Sequence, residues 1–142
     1  MVDVHDKETR SKNMAAIRNK NTRPELMLRK QLHAAGFRYR LNVKEMPGKP
    51  DIVLPKYKTV IFVHGCFWHL HNCLLFKWPS TRAEWWKVKL MTNRQRDLEA
   101  QDKLMELGWR VLVVWECEIK SQKLMDLVSG FLLSGELYYE IP

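Results

Sequence analysis

Residues 58-KTVIFVHGCFWHLHNC-73 join an apolar run to a segment rich in metal-binding side chains. Lys58 to Val63 is β-branched and almost entirely apolar, a pattern typical of a strand that is covered on both faces of a sheet. Residues 64–73 then hold three histidines, two of the three cysteines in the chain and a Phe-Trp pair. The stretch therefore predicts a buried strand that ends in a loop carrying groups able to bind a metal or move a proton.

The sequence on both sides of this stretch has the pattern of alternating helices and strands. Thr22-Arg-Pro-Glu25 and Thr81-Arg-Ala-Glu84 are capping boxes, which predict the first turn of a helix, and Gly36 and Gly108 are natural helix stops. The predicted order is helix, three strands, helix, strand and helix, over residues 22–36, 37–41, 51–54, 58–63, 81–107, 109–115 and 121–133. A strand, a long helix and another strand imply a parallel crossover, so we expect an α/β fold with a mixed sheet and helices on its faces.

Length and composition favour one domain preceded by an arm. The chain has 142 residues, of which 46% are hydrophobic and 28% are charged, and this suffices for a single hydrophobic core. Residues 1–21 lack apolar periodicity and carry five lysines and arginines. We therefore predict an N-terminal arm over residues 1–21 and a single domain over residues 22–142.

The charge balance indicates a polyanionic partner. The chain has 24 Lys and Arg against 16 Asp and Glu, a formal net charge of +8, which favours nucleic acid, although an ordinary basic soluble protein has the same balance. The longest apolar runs, 60–63 and 111–115, are far shorter than the roughly 20 residues that span a bilayer, so no membrane segment is predicted. Because the N-terminus is too polar for a secretory signal, we expect a cytoplasmic protein with reduced cysteines.

The cysteines and one histidine make a plausible metal site. Cys66, His71, Cys73 and Cys117 supply three thiolates and one imidazole, a set that suits tetrahedral zinc in a closed structural site. Such an ion would join the loop to the end of the strand before Cys117. His69 could replace His71 as the ligand, and each cysteine taken singly could equally be a small buried hydrophobe.

Two histidines and an aspartate are the main catalytic candidates. If a metal uses His71, then His64 and His69 remain for general acid or base chemistry. Asp51 begins the strand before the one that ends at His64, so hairpin pairing would bring its carboxylate to that end, where it could bind a hard cation such as magnesium. Glu25 ranks behind Asp51 because the capping box already explains it.

Large aromatic side chains lie within and after the histidine-rich loop. Phe67 and Trp68 lie between the candidate metal ligands, and Trp86 lies in the first turns of the following predicted helix. Rings of this kind can enter a base step, where unstacking costs a few kcal/mol and costs least at a mispair. The tryptophans of the predicted strand 109–115 are better explained by core packing.

Long motifs give the chain a specific resemblance. The helix containing Glu25, the Pro50-Asp51 pair that opens a strand, and 61-IFVHGCFWHLHNC-73 closely resemble the very short patch repair endonucleases, which nick DNA beside a T:G mismatch. The similarity extends to 5-HDKETRSKNM-14, 81-TRAEWW-86 and 107-LGWRVLVVWEC-117. It covers most of the chain, in motifs too long to recur by chance.

The resemblance implies a restriction-endonuclease-like fold with core order αβββαβ and a particular set of catalytic roles. Phe62 and His64 match this family's replacement of the acid and lysine found on the third strand of other members of the fold. The resemblance implies that Asp51 and the main-chain carbonyl of Val63 bind magnesium, that His69 activates water and that His64 assists at the phosphate. Val63 stands where members of the family have threonine, and a carbonyl ligand survives this change.

The resemblance also implies the remaining ligands and partners. It assigns structural zinc to Cys66, His71, Cys73 and Cys117. It implies a wedge of Phe67, Trp68 and Trp86 from the major groove, with Met14 of the arm inserted from the minor groove. The expected partner is double-stranded DNA with a T:G mismatch, bound by a monomer, and DNA repair proteins are further candidates that the residues do not identify.

The leading hypothesis is therefore a magnesium-dependent endonuclease that hydrolyses the phosphodiester 5′ to a thymine mispaired after 5-methylcytosine deamination. One alternative is a non-catalytic DNA-binding module stapled by zinc, in which Asp51, His64 and His69 are dispensable. Another is a zinc hydrolase in which His64 or His69 holds the catalytic ion. The flanking bases and the partner methyltransferase are not readable from the residues.

Overall fold

A computed structural model of the chain describes residues 22–41, 43–69, 71, 73 and 76–141, so the predicted arm with Met14 lies outside the described residues. The helices of the described part are α1 (Arg23–Ala34), α2 (Ala83–Glu106) and α3 (Leu124–Leu133). Its strands are β1 (Arg40–Leu41), β2 (Ile52–Leu54), β3 (Thr59–His64), β4 (Arg110–Trp115) and β5 (Tyr138–Ile141). Within these residues, no helix is both long enough and apolar enough to cross a bilayer.

The five strands form one mixed sheet in the order β1-β2-β3-β4-β5. β2 and β3 form an antiparallel hairpin with Ile52 opposite Ile61, whereas β3 and β4 run parallel, joined by α2, with His64 opposite Trp115. The predicted mixed sheet and crossover are therefore confirmed. β5, which pairs parallel with β4, was not predicted, because this half-exposed edge strand lacks the apolar run of a buried one.

The alternation of side chains along the strands explains why helices cover both faces of the sheet. Successive residues of a strand point to opposite faces. On one face, Ile61, Val63, Leu112 and Val114 pack with buried residues of α1 and α3. On the other face, Val60, Phe62, Val111 and Val113 pack with Leu104 of α2. Full burial of each such side chain contributes about 1.5–3 kcal/mol to the free energy of folding. The two layers together therefore hold the end of β3 in place.

Three local expectations were wrong. Among the described residues, the Thr22 side chain makes no capping hydrogen bond, although α1 does begin after it. The cap of α2 is Arg82 in a left-handed conformation (φ 54°), so the helix begins at Ala83, one residue later than a Thr81 cap requires. The leucines after the Thr22 capping box predict a buried stripe of Leu26, Leu28 and Leu32. Leu26 is instead 49% exposed, because a residue two before Leu28 lies on the opposite side of a helix.

Two contacts fix the segments that border the site. Gly48 adopts φ +72°, and a Cβ there would lie 2.7 Å from the Cβ of Ala100, so the loop before β2 can approach α2 only with glycine. Arg110 anchors the connection from α3 to β5, because its guanidinium donates hydrogen bonds to the carbonyls of Ser134 at 2.9 Å and Glu136 at 2.8 Å. This connection carries β5 to the edge of β4.

Candidate active site and metal centre

An open cavity of about 790 Å³ lies at the carboxyl end of β3, between α1, the β2–β3 hairpin and α2. Acidic, basic, histidine and aromatic side chains share its wall. The lining includes Arg23, Glu25, Asp51, Val63, His64, Phe67, Trp68, His69, Asn93, Arg96, Asp97 and Gln101. The cavity thus collects all four catalytic candidates, Glu25, Asp51, His64 and His69, at one place.

Two carboxyl groups meet on one side of the cavity. The backbone N–H of Val63 donates a hydrogen bond to Asp51 Oδ2 at 2.7 Å, so Asp51 lies beside the end of β3, as hairpin pairing predicted. Glu25 is 3% exposed, accepts a hydrogen bond from Arg29 Nη2 at 3.1 Å and is hydrogen-bonded to Asp51. Burial and the charge of Glu25 raise the pKa of Asp51 to about 7. Such a pair is poised to take up either a proton or a cation.

Glu25 is therefore closer to the chemistry than the sequence indicated. The capping-box explanation placed it well behind Asp51, but its side chain is buried against Asp51 rather than exposed at the helix end. The first turn of α1 packs over the hairpin, and this packing brings together two residues that are distant in the sequence. The burial of Glu25 follows from the packing of α1 on the hairpin and cannot be read from the residues around it.

Two histidines and an aspartate face each other on the other side of the cavity. The rings of His64 and His69 stack in parallel, with centroids 3.9 Å apart. His69 Nδ1 lies 2.5 Å from Asp97 Oδ2. Burial, reinforced by His69, holds the pKa of His64 well below its usual value, so this imidazole is neutral. In the tautomer whose Nδ1–H donates this hydrogen bond to Asp97 Oδ2, Nε2 of His69 is left to accept a hydrogen bond.

Asp97 was not among the candidates from the sequence. It lies in the middle of α2, 28 residues after His69, where an isolated aspartate looks like part of a solvated helix face. The signal that could have found it is the spacing of Asn93, Asp97 and Gln101, which at intervals of four residues line one side of a helix. All three line the cavity.

A second cluster, termed the clasp, consists of Cys66, His71, Cys73 and Cys117. The potential ligand atoms of these four residues lie within 4.8 Å of one another, and Cys117 Sγ is 3.4 Å from His71 Nδ1. The structure groups His71 with the cysteines and groups His69 with His64 and Asp97, whose potential ligand atoms also lie within 4.8 Å of one another. Two residues that alternate in the sequence thus belong to different sites.

The chemistry of the clasp fits a bound cation. Burial raises the pKa of the Cys66 and Cys117 thiols and lowers the pKa of His71, so the thiols hold their protons at neutral pH when no cation is bound, whereas the imidazole is ready to ligate. A divalent ion would replace the thiol protons and gain three sulfur ligands and one nitrogen ligand. Glu116 Oε1 also accepts a hydrogen bond from the Cys66 N–H at 2.9 Å, which fixes the start of the loop.

The aromatic residues of the loop form a cluster with α2. The ring centroids of Phe67 and Trp68 are 5.2 Å apart, and Trp86 lies 5.3 Å from Phe67 and 5.7 Å from Trp68. Asn93 Nδ2 donates a hydrogen bond to the Trp68 carbonyl at 3.3 Å, so the helix also holds the loop backbone. All three rings are half-buried, and those of Phe67 and Trp68 line the cavity, whereas Met14 lies outside the described residues.

Known proteins with similar sequences are named as DNA mismatch endonucleases or as type II nicking enzymes. The sequence model of the family described as DNA mismatch endonuclease Vsr matches residues 2–75. The chain is 50% identical to the DNA mismatch endonuclease Vsr of Escherichia coli K12, over 89% of this chain and 81% of that protein. It is 47% identical to the type II nicking enzyme V.XorIIP of Xanthomonas oryzae pv. oryzae, over 84% of this chain and 88% of that protein. It is 46% identical to V.NmeAIP of Neisseria meningitidis serogroup A, over 86% and 87% of the two chains.

Proposed function

The chain belongs to the Vsr family of DNA mismatch endonucleases, and on that premise we propose that it nicks one strand of duplex DNA at a T:G mispair. The bond hydrolysed is the phosphodiester 5′ to the mispaired thymine that arises from 5-methylcytosine deamination. The observation that carries this proposal is that the Asp51–Glu25 carboxyl pair and the His69–Asp97 pair line the same cavity.

The catalytic roles follow from the surroundings of each side chain. Asp51, with Glu25 beside it and the Val63 carbonyl, would hold magnesium, which when bound neutralises charge on the phosphate. His69 accepts the proton of the attacking water, and Asp97 holds that ring in the correct tautomer and stabilises the imidazolium. His64, neutral because it is buried, donates a hydrogen bond to the phosphate.

Zinc is the ion proposed for the clasp. A set of three thiolates and one imidazole selects zinc over hard cations, and a closed set of four ligands suits a structural role. The ion would join the loop of Cys66, His71 and Cys73 to Cys117 at the end of β4. The loop would then present Phe67 and Trp68 to the DNA in one conformation.

Recognition of the mispair is assigned to the aromatic cluster. Phe67, Trp68 and Trp86 would enter the mispaired step from the major groove, and the arm would place Met14 in the minor groove. Arg23 and Arg96 line the same cavity and suit contact with phosphates. A mispaired step unstacks more easily than a matched one, so insertion favours the lesion.

The order of α1, β1 to β3, α2 and β4 supports the restriction-endonuclease-like core αβββαβ, with residues 22–142 as a single domain after the arm. A single chain suffices for this reaction, because a T:G mispair is an asymmetric lesion and only one strand is cut. The proposed active form is therefore a monomer.

The test is a set of end-labelled duplexes that carry T:G or T:A at one position in varied sequence contexts, incubated with and without magnesium. We expect one nick, 5′ to the thymine, only with T:G and magnesium. Tight binding to T:G without any nick would favour the non-catalytic DNA-binding module. Nicking that persists in a magnesium chelator would favour a zinc hydrolase built on His64, His69 and Asp97.

A further inference from the structure

Trp115 lies between the clasp and the catalytic histidines. It is the last residue of β4, opposite His64 in the sheet register, and it is 4% exposed. Its ring stacks on His71 at a centroid distance of 4.1 Å and an interplanar angle of 6°. The same ring meets His64 at 5.2 Å and His69 at 6.4 Å, both at 67°. One indole therefore contacts an imidazole of the clasp and both stacked imidazoles of the cavity.

Glu140 of the edge strand β5 holds this indole. Trp115 Nε1 donates a hydrogen bond to Glu140 Oε1 at 2.5 Å, and the Tyr138 hydroxyl donates one to Glu140 Oε2 at 3.2 Å. β5 pairs with β4 so that Glu140 is opposite Val113, two residues before Trp115 and therefore on the same face of the sheet. A charged acceptor makes a stronger and more directional hydrogen bond than a neutral one.

Core packing alone does not explain this arrangement. Packing needs an apolar ring of the right size, but it does not need a carboxylate on an edge strand aimed at the indole nitrogen. The hydrogen bond restricts rotation of the indole about its side-chain torsions, and the stacked His71 ring then has one preferred plane. The ligands of a metal are commonly oriented by side chains that do not themselves bind the metal.

We propose that Glu140 and Trp115 are positioning residues that hold the clasp and the His64–His69 pair in register with each other. The inference rests on the proposed function, because it assigns a cation to the clasp and nicking to the cavity. It adds β5, the unpredicted strand, to the parts of the fold on which catalysis depends.

Three variants test this inference. Glu140→Leu removes the acceptor, Glu140→Gln retains an oxygen acceptor without the charge, and Trp115→Phe retains an aromatic ring without the N–H. The matched control is Glu136→Leu, the same change at an exposed glutamate before β5. Each protein is loaded with one equivalent of zinc, and the rate of zinc transfer to a chromogenic chelator is measured beside kcat and KM for nicking a T:G duplex.

For Glu140→Leu and Trp115→Phe we expect zinc release about tenfold faster and kcat about tenfold lower, with KM unchanged. Glu140→Gln should recover most of both losses, and Glu136→Leu should match the parent protein. The inference is overturned if zinc release and kcat of Glu140→Leu equal those of Glu136→Leu, or if Gln is as damaging as Leu. A parent protein that does not nick at all overturns the proposed function instead, and the zinc-release rates still test whether Glu140 positions the clasp.

Discussion

The clasp and the cavity share the loop of residues 64–73 but differ in almost every chemical respect. The clasp gathers three sulfurs and one nitrogen into a closed group, whereas the cavity presents carboxylates and imidazoles to a space of about 790 Å³. His69 and His71 are two residues apart, yet one belongs to each site. The difference teaches that donor type and access, rather than position in the loop, separate the clasp from the cavity.

Burial favours the neutral form of the titratable side chains in both sites. It raises the pKa of acidic groups such as Asp51 and Cys66, and it lowers the pKa of His64 and His71, so without a cation each site favours neutral side chains. A bound cation reverses this preference for the acids. The two sites should nevertheless respond differently when one ligand is removed, because the clasp joins two segments of the chain whereas the cavity is open to a substrate.

Loss of a clasp ligand should have the largest effect. We expect Cys117→Ala to weaken zinc binding by more than about 100-fold, to lower the melting temperature and to abolish nicking, because the loop is freed from β4 and both sites lose their geometry. Metal analysis, thermal unfolding and T:G nicking measure the three effects. Lys120→Ala, an exposed neighbour, is the control, and full zinc retention by Cys117→Ala would contradict the assignment.

Asp51→Ala should damage only the cavity. We expect nicking to fall on the order of 1,000-fold while the zinc content stays unchanged, because several kcal/mol of charge stabilisation at the phosphate are lost. Asp51→Asn retains an acceptor for the Val63 N–H and controls for local disorder, and it should be equally inactive. Either variant nicking at the parent rate in magnesium would contradict the role of Asp51.

Asp97→Asn should reduce kcat by about 100-fold with little change in KM, because an amide can stabilise the wrong tautomer of His69 and cannot stabilise its imidazolium. Steady-state nicking of the T:G duplex measures both constants. Asp102→Asn, an exposed aspartate in the same helix, is the matched control. Equal kcat values for the two variants would separate Asp97 from the chemistry.

The apparent affinity for magnesium should depend on pH. Because the pKa of Asp51 is raised to about 7, a proton competes with the cation below that pH, and affinity should fall nearly tenfold per pH unit there and level off above it. The same raised pKa means that the metal-free protein loses stability as the pH rises toward 7, because the folded state binds the proton more tightly than the unfolded state does.

Magnesium titrations of the nicking rate, one pH unit below and one above that value, measure the affinity. Thermal unfolding in a chelator of magnesium measures the stability, and Asp51→Asn should lose the part of its pH dependence that this carboxyl group contributes. Equal magnesium affinity on both sides of pH 7 would contradict the competition.

The smallest effect is expected at the aromatic cluster. Trp68→Ala should reduce discrimination of T:G over T:A by about fivefold and change the melting temperature little, because Phe67 and Trp86 remain to fill the mispaired step. Binding and nicking of both duplexes measure the ratio. Trp78→Ala, at a 51% exposed ring, is the control, and unchanged discrimination by Trp68→Ala would count against the wedge.

Much of the site could be read from residue order. The strand predicted from Asp51 to Leu54, the turn at Pro55 and the run that forms β3 predict a hairpin, and the hairpin places the Asp51 carboxylate against the Val63 N–H. The buried face of α1 was only partly predicted, because Leu26 belongs to the exposed side. The crossover through α2 followed from its length between two apolar runs. These features depend on local periodicity and turn chemistry, which are determined by a few neighbouring residues.

Asp97, Glu25 and Glu140 were not predicted in the roles that the fold gives them. Each is a polar residue with an ordinary explanation as a solvated or capping side chain. What distinguishes them is a partner 28 residues away for Asp97 and 25 residues away for Glu140. β5 escaped prediction for the same reason, since an edge strand gains its stability from β4 rather than from its own apolar content.

The residue types alone indicate the donor chemistry: sulfur and imidazole for a closed clasp, carboxylate and imidazole for an open cavity, and positive charge for a polyanion. Which imidazole joins which site was decided by packing, because α2 brings Asp97 to His69, and the end of β4 brings Cys117 to His71 across 46 residues. The physical reason is that residue type sets what a side chain can bind, whereas distances between remote side chains exist only once the sheet and its two helix layers exclude water.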